Sequence, residues 1–324
     1  QVYASLLGCT VLLLNSIGAV HPMTPEQTMV DGIFKLHHGL VKWRHERTLE
    51  VAKFRGSGTL DGSHEMQISA AGITVFPRLE AARVNEVPRL SKGAALTTGV
   101  PGSDALIGAG GFPLATVTAV AGAPGSGKTL LGLHFVGQAT DKEPALLFGF
   151  YESPALLVEI ARSFGIDLDG LCKSKALEIL WQPYGALQLD ELGYRLLRAV
   201  ERTQCKRLFI DGLGGFMSAR AFEERGPAFL ATLSNELRRL GTTTLFAVES
   251  DDTEGFVVSM TAHNISAIAD NVIRLRTEES DGRMRRSVSI GKVRGSRIEL
   301  SLRELTLSDA GLRVADQATQ GASG

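Results

Sequence analysis

Residues Gly122–Thr129 read Gly-Ala-Pro-Gly-Ser-Gly-Lys-Thr, and this octapeptide dictates much of what can surround it. The run before it, Ala115–Ala121, is apolar and rich in β-branched residues, as a buried strand requires. The run after it, residues 130–139, has helical spacing. Strand, glycine loop and helix together form the context in which such a loop wraps a phosphate. Gly122, Gly125 and Gly127 let backbone N–H groups turn inward. Ala123, Pro124, Ser126 and Leu130 complete the stretch expected to line the phosphates. The helix beginning near Lys128 adds its positive N-terminal end. Lys128 is then expected to reach the β- and γ-phosphates of ATP, and the Thr129 hydroxyl to ligate Mg²⁺.

Around this loop, strands are expected at 115–121, 144–150, 207–211 and 243–249, and helices at 128–139, 153–164, 188–202 and 222–240. That alternation implies an α/β fold, with a mostly parallel central sheet and helices on both faces. Strands near 270–275 and 285–293 are expected as a hairpin-like extension turned at Ser280–Gly282. The 324 residues suggest two domains. A net charge of −1 offers no basic excess for nucleic acid or an anionic membrane. Cys9, Cys172 and Cys205 form no CxxC pair, which favours a reducing, cytoplasmic setting and argues against zinc. The apolar run Val11–Leu14 is too short to span a bilayer and lacks a basic flank. Residues 9–16 are expected to form a buried strand, with the chain starting partway into a domain.

An internal repeat organises the rest. Residues 31–75 and 270–314 align without a gap at a constant offset of 239, and 13 of the 45 paired positions are identical. Lys53, Arg55, Gly56 and Ser57 match Lys292, Arg294, Gly295 and Ser296. A duplicated module is the simplest source of such self-similarity. Residues 1–80 are read as the C-terminal part of a first module, without a P-loop, residues 81–91 as a linker, and residues 92–324 as a complete second module.

Three further elements bear on chemistry. Arg207–Asp211 is an apolar strand ending in an acid, which can hold Mg²⁺ opposite Thr129. Glu152 follows the strand 144–150 and is the candidate base for an attacking water. It also stands where Ser153-Pro154 opens a helix, so a helix-dipole role is compatible. Lys292 and Arg294 alternate on one strand and so share a face, placing both as candidate cations for a neighbouring subunit's γ-phosphate.

The set Thr98–Leu106, GAPGSGKTLL, FGFYESP, ARSFGIDL, RLFIDGL and KVRGS resembles the RecA-superfamily ATPases of the KaiC type. The double module agrees with that resemblance. It implies a RecA-like P-loop fold in tandem, a homo-hexamer with ATP between subunits, slow hydrolysis and Ser/Thr autophosphorylation, in a protein with a signalling partner. The family's paired glutamates fall here at Tyr151-Glu152, and its adjacent phosphoacceptors at Ser266-Ala267. The resemblance therefore implies an ATPase with weak kinase activity at Ser266. An ATP-dependent scaffold with little turnover remains open, as does a DNA-dependent recombinase-type ATPase. The acidic run Glu249–Glu254 argues against the last.

Overall fold

A computed structural model describes residues 8–16, 28–41, 44–83, 93–107, 110–185, 188–219, 221–250, 265–280, 282–294 and 302–315. The chain packs as two compact units, Gln1–His64 and Glu65–Gly324.

In the first unit β1 (Gly32–Val41) and β2 (Arg44–Phe54) form an antiparallel hairpin, with a register shift between Ile33 and Phe34. Residues 9–16, expected as a buried strand, have no regular structure, and Val11, Leu12, Leu13 and Leu14 are exposed. No described strand of this unit pairs with them. With no described strand to ladder with, an apolar run gains nothing from extension.

β3 (Ser63–Ser69) starts two residues before the division, and pairs with β4 (Gly72–Phe76). The second unit continues with α1 (Leu79–Ala82), β5 (Ala95–Leu96), α2 (Asp104–Ile107) and β6 (Phe112–Pro113). Most of the expected linker, residues 84–91, lies outside the described residues. The central elements follow: β7 (Val117–Gly122), α3 (Lys128–Val136), β8 (Ala145–Gly149), α4 (Pro154–Ser163), α5 (Leu168–Lys173) and β9 (Leu177–Trp181). Next come α6 (Leu189–Thr203), β10 (Arg207–Asp211), α7 (Gly214–Met217), α8 (Ala221–Arg239) and β11 (Thr243–Glu249). The last described elements are α9 (Ile265–Ile268), β12 (Asn271–Ser280), β13 (Arg283–Val293), β14 (Arg303–Ser308) and β15 (Gly311–Val314).

One sheet carries the second unit, in the order β15-β14-β13-β12-β7-β11-β10-β8-β9. The pairings from β12 through β9 are parallel, and those among β12, β13, β14 and β15 antiparallel. The sheet is covered on both sides, so its central strands are buried end to end. Val117, Ala119 and Ala121 face a core shared with α6 and α8, while Val120 faces one shared with α3, α4 and α5. This is the RecA-like α/β arrangement.

The expected hairpin forms as β12 and β13, longer than expected, and it extends the central sheet because β12 lies parallel against β7 from Asn271 to Arg274. The β12–β13 hairpin has the bounds of β1–β2 displaced by the repeat offset. Its register shifts between Val272 and Ile273, the positions that answer Ile33 and Phe34. Arg55 N–H donates to Asp31 O at 2.8 Å, and Arg294 N–H to Asp270 O at 3.0 Å.

Candidate nucleotide site

β7 delivers its C-terminal residue Gly122 to the middle of the sheet, between β12 and β11. Ligands of open parallel sheets bind outside the carboxyl ends of the strands, and the loop 122–129 lies there. Gly122 must be glycine for space, since a Cβ would stand 2.6 Å from Leu275 O. Gly127 must be glycine for conformation: it caps α3 at φ +107°, in the left-handed region. α3 is then held against the sheet so closely that a Cβ on Gly132 would enter the Phe209 ring of β10.

Lys128 Nζ donates to Gly122 O at 2.7 Å and Ala123 O at 2.9 Å, so its charge lies across the loop. Thr129 Oγ1 donates to Asp211 Oδ1 at 3.1 Å, joining the start of α3 to the end of β10. Asp211 Oδ2 is buried and has no hydrogen-bond partner among the described residues, and neither has Ser126 Oγ. Burial, then the neighbouring Glu152 carboxylate, push the Asp211 carboxyl up to about 7, against the Thr129 hydrogen bond and the Lys128 charge. An orphaned carboxylate oxygen beside a hydroxyl, short of positive charge, is a donor set suited to a hard divalent cation. Thr129 and Asp211 could hold Mg²⁺, and the loop with Lys128 could hold the phosphates.

Glu152 stands three residues beyond the end of the buried strand β8. Its charge reaches Asp211, so the two carboxylates share one neighbourhood. The helix start beside it forms as well: Ser153 Oγ accepts from Leu156 N–H at 3.4 Å, with Pro154 in the first turn. Tyr151 stacks on Tyr184, ring centroids 5.4 Å apart.

The structure places Lys292, Arg294 and Ser266 together, and apart from the contacts of the loop. Lys292 Nζ donates to Ser266 O and Ala269 O, both at 2.8 Å, closing the carbonyl end of α9. Arg294 pairs with Asp270 Oδ1 at 3.3 Å. Asp270 is buried and also accepts from Val117 N–H and from Arg238 Nε at 2.8 Å. The Ser266 residue is exposed. Of the acidic run after β11, residues 251–254 lie outside the described residues, as do Gly295 and Ser296.

Sequence reasoning missed Arg286, whose Nε donates to Gly125 O at 3.3 Å at the tip of the loop. Its one sequence signal was identity with Arg47 in the repeat. It also missed Tyr184, for which a lone aromatic in a loop gives no signal.

No helix among the described residues is long and apolar enough to cross a membrane. The family model described as "ATPase: KaiC" matches residues 96–319. The chain is 30% identical over 318 residues to the circadian clock oscillator protein KaiC of Synechococcus elongatus, covering 96% of this chain and 59% of that protein. It is 29% identical over 307 residues to KaiC of a Picosynechococcus species, covering 94% and 58%. To KaiC 1 of a Synechocystis species it is again 29% identical over 307 residues, covering 94% and 57%. The chain thus spans about three-fifths of the length of these relatives. With a P-loop at the end of a central parallel strand, an acid at the end of β10 and a family match over most of its length, this chain belongs to the KaiC family of ATP-binding ATPases.

Proposed function

We propose that this chain is a Mg²⁺-dependent ATP hydrolase working as a homo-oligomer, a hexamer, with ATP between subunits. The observation that carries the reading is the Thr129–Asp211 contact under the phosphate loop, with Asp211 Oδ2 buried and unpartnered. Residues 122–130 hold the phosphates through loop N–H groups, the α3 N-terminus and the Lys128 ammonium. Thr129 and Asp211 hold Mg²⁺, which when bound neutralises phosphate charge. Glu152 takes the proton of the attacking water as its oxygen bonds to the γ-phosphorus and the bond to the β–γ bridging oxygen breaks. Lys292 and Arg294 serve the γ-phosphate of the neighbouring subunit. Their engagement within their own chain with α9 and Asp270, rather than with the loop, supports a role in trans.

Ser266 is a slow phosphoacceptor in this reading, since Tyr151 replaces the first carboxylate. Burial and the charges around it push the Tyr151 phenol up from its ordinary value, making it a poor base. The same exchange favours a second reading, an ATP-assembled scaffold with little turnover. Residues 1–80 are the C-terminal part of a preceding module. Phe34 and Leu36 are exposed, whereas their counterparts Ile273 and Leu275 are buried in the second unit's core. A signalling protein is the expected partner.

Steady-state ATP turnover of the full chain tests this, with and without Mg²⁺ and single-stranded DNA, followed by peptide mapping for phosphate. Mg²⁺-dependent turnover indifferent to DNA, with substoichiometric phosphate on Ser266, is expected. Binding without turnover selects the scaffold, and stimulation by DNA overturns both.

A further inference from the structure

We propose that Tyr151, held by Tyr184 against the Gly212–Gly214 turn, selects the acceptor at this site, favouring water over bulkier hydroxyls beside Glu152 and so keeping transfer to Ser266 slow. The proposal rests on the hydrolase reading and deepens it.

The ring is held at one edge and on one face. Against its edge lies the turn that follows Asp211. Gly212 sits at φ +89°, and a Cβ there would stand 2.8 Å from Tyr151 Cε2. A Cβ on Gly214 would collide with the Tyr151 hydroxyl. Two glycines thus leave room for the ring's edge and its hydroxyl. Over one face, Tyr184 stacks at an interplanar angle of 24°. A ring bounded at its edge, its hydroxyl and one face has little room to turn.

The clamped ring lies among the acids at the strand tips. Tyr151 follows the tip of β8 and packs on the turn after β10, and the charges of Glu249, Asp211 and Glu152 act on its hydroxyl. With 52% of the residue exposed, it forms an outer wall of that group. A neutral phenol there can donate a hydrogen bond but cannot accept the acceptor's proton, which leaves that task to Glu152. An acceptor approaching Glu152 from the Tyr151 side must fit past a fixed ring. Water needs no side-chain room, whereas an alcohol carries carbon on its oxygen.

Both reactions balance in the same way. The acceptor oxygen bonds to the γ-phosphorus, ADP leaves with the bridging oxygen, and the acceptor proton passes to Glu152. Water yields inorganic phosphate, and an alcohol yields its phosphate monoester.

The test uses the full chain with Mg-ATP in buffer containing ethylene glycol. Phosphorus NMR gives the ratio of 2-hydroxyethyl phosphate to inorganic phosphate. That ratio is internal to each reaction, so loss of folded protein does not move it. The parent and Tyr151→Phe, which keeps the ring, are expected to yield inorganic phosphate with only a small ester share. Tyr151→Ala and Tyr184→Ala are expected to raise the ester share at least about tenfold. Alanine variants that partition like the parent overturn the proposal, as does Tyr151→Phe partitioning like Tyr151→Ala. If both alanine variants lose turnover while Tyr151→Phe keeps it, the ring is structural and the proposal fails. A parent that turns over no ATP removes the hydrolase reading, and the proposal with it.

Discussion

Lys128 and Glu152 make separable demands on the same loop. The Lys128 ammonium lies on two loop carbonyls, where β- and γ-phosphate oxygens would compete for it. A charge-assisted hydrogen bond contributes roughly 1.5–3 kcal/mol. Lys128→Ala is therefore expected to weaken ATP binding by about one to two orders of magnitude, read by titration with a fluorescent ATP analogue. An unchanged Kd would remove Lys128 from the site. Glu152→Gln keeps the shape and loses the base. Binding should survive while turnover falls about 10²–10⁴-fold, the usual worth of a general base. Undiminished turnover would return Glu152 to the helix start at Ser153, a role visible in the same structure. The residue scale was also where the sequence was most readable. Lys128, Thr129 and Asp211 lie in fixed strand–loop–helix and strand-end contexts, so their meeting follows from topology. Arg286 and Tyr184 arrive from hairpins and loops whose register no local pattern encodes.

Elements are held by buried charge at two joints. Asp270 joins β7, α8 and the turn after β13 through Val117 N–H, Arg238 and Arg294. Removing one partner of a buried pair leaves the other charge uncompensated, at a cost of roughly 3–5 kcal/mol. Asp270→Ala should lose about that much in urea unfolding, and a loss below about 1 kcal/mol would show Arg238 finding water instead. At the second joint Glu65 Oε2 accepts from Asp190 and Glu191 N–H, at the N-terminus of α6. Burial, then the Asp190 charge, push Glu65 up to about 8. The folded state thus binds a proton that the unfolded chain releases near pH 4.5. Stability from this group is complete below the unfolded value and is lost as pH rises toward 8. Glu65→Gln keeps an acceptor and cannot ionise. Its Tm should therefore fall less between pH 6 and 8.5 than the parent's, by a few degrees for each kcal/mol removed. Equal slopes would exclude Glu65 as the titrating group. None of this was legible in the sequence, where Glu65 is simply one of the identical positions of the repeat, matching Glu304. The central elements were read within a few residues because β7, β8, β10 and β11 are continuous apolar runs, α4, α6 and α8 are periodic, and α3 is announced by the glycine loop before it. Edge strand β9 and the short α5 were missed, being too brief and half-exposed to show a period.

For the whole molecule, the oligomeric reading makes a distinct demand. Arg294→Ala subunits keep a phosphate loop, and Lys128→Ala subunits keep the cations. If Arg294 acts in trans, mixing the two inactive variants should restore part of the turnover at interfaces that pair an intact loop with an intact Arg294. Silence in rings shown to be mixed would place Arg294 in its own chain's structure. Either outcome bears on the contacts at α9. Lys292 and Arg294 are already engaged at home, one closing the helix that bears Ser266 and the other countering Asp270. A cation drawn toward a neighbour's γ-phosphate must slacken one of these bonds. Occupancy of one site would then loosen the Ser266 helix of the adjacent subunit, and a helix held tight would resist nucleotide next door by the same free energy. News of ATP would pass around the ring as a tug between two claimants on one side chain, with no need for a long-range rearrangement.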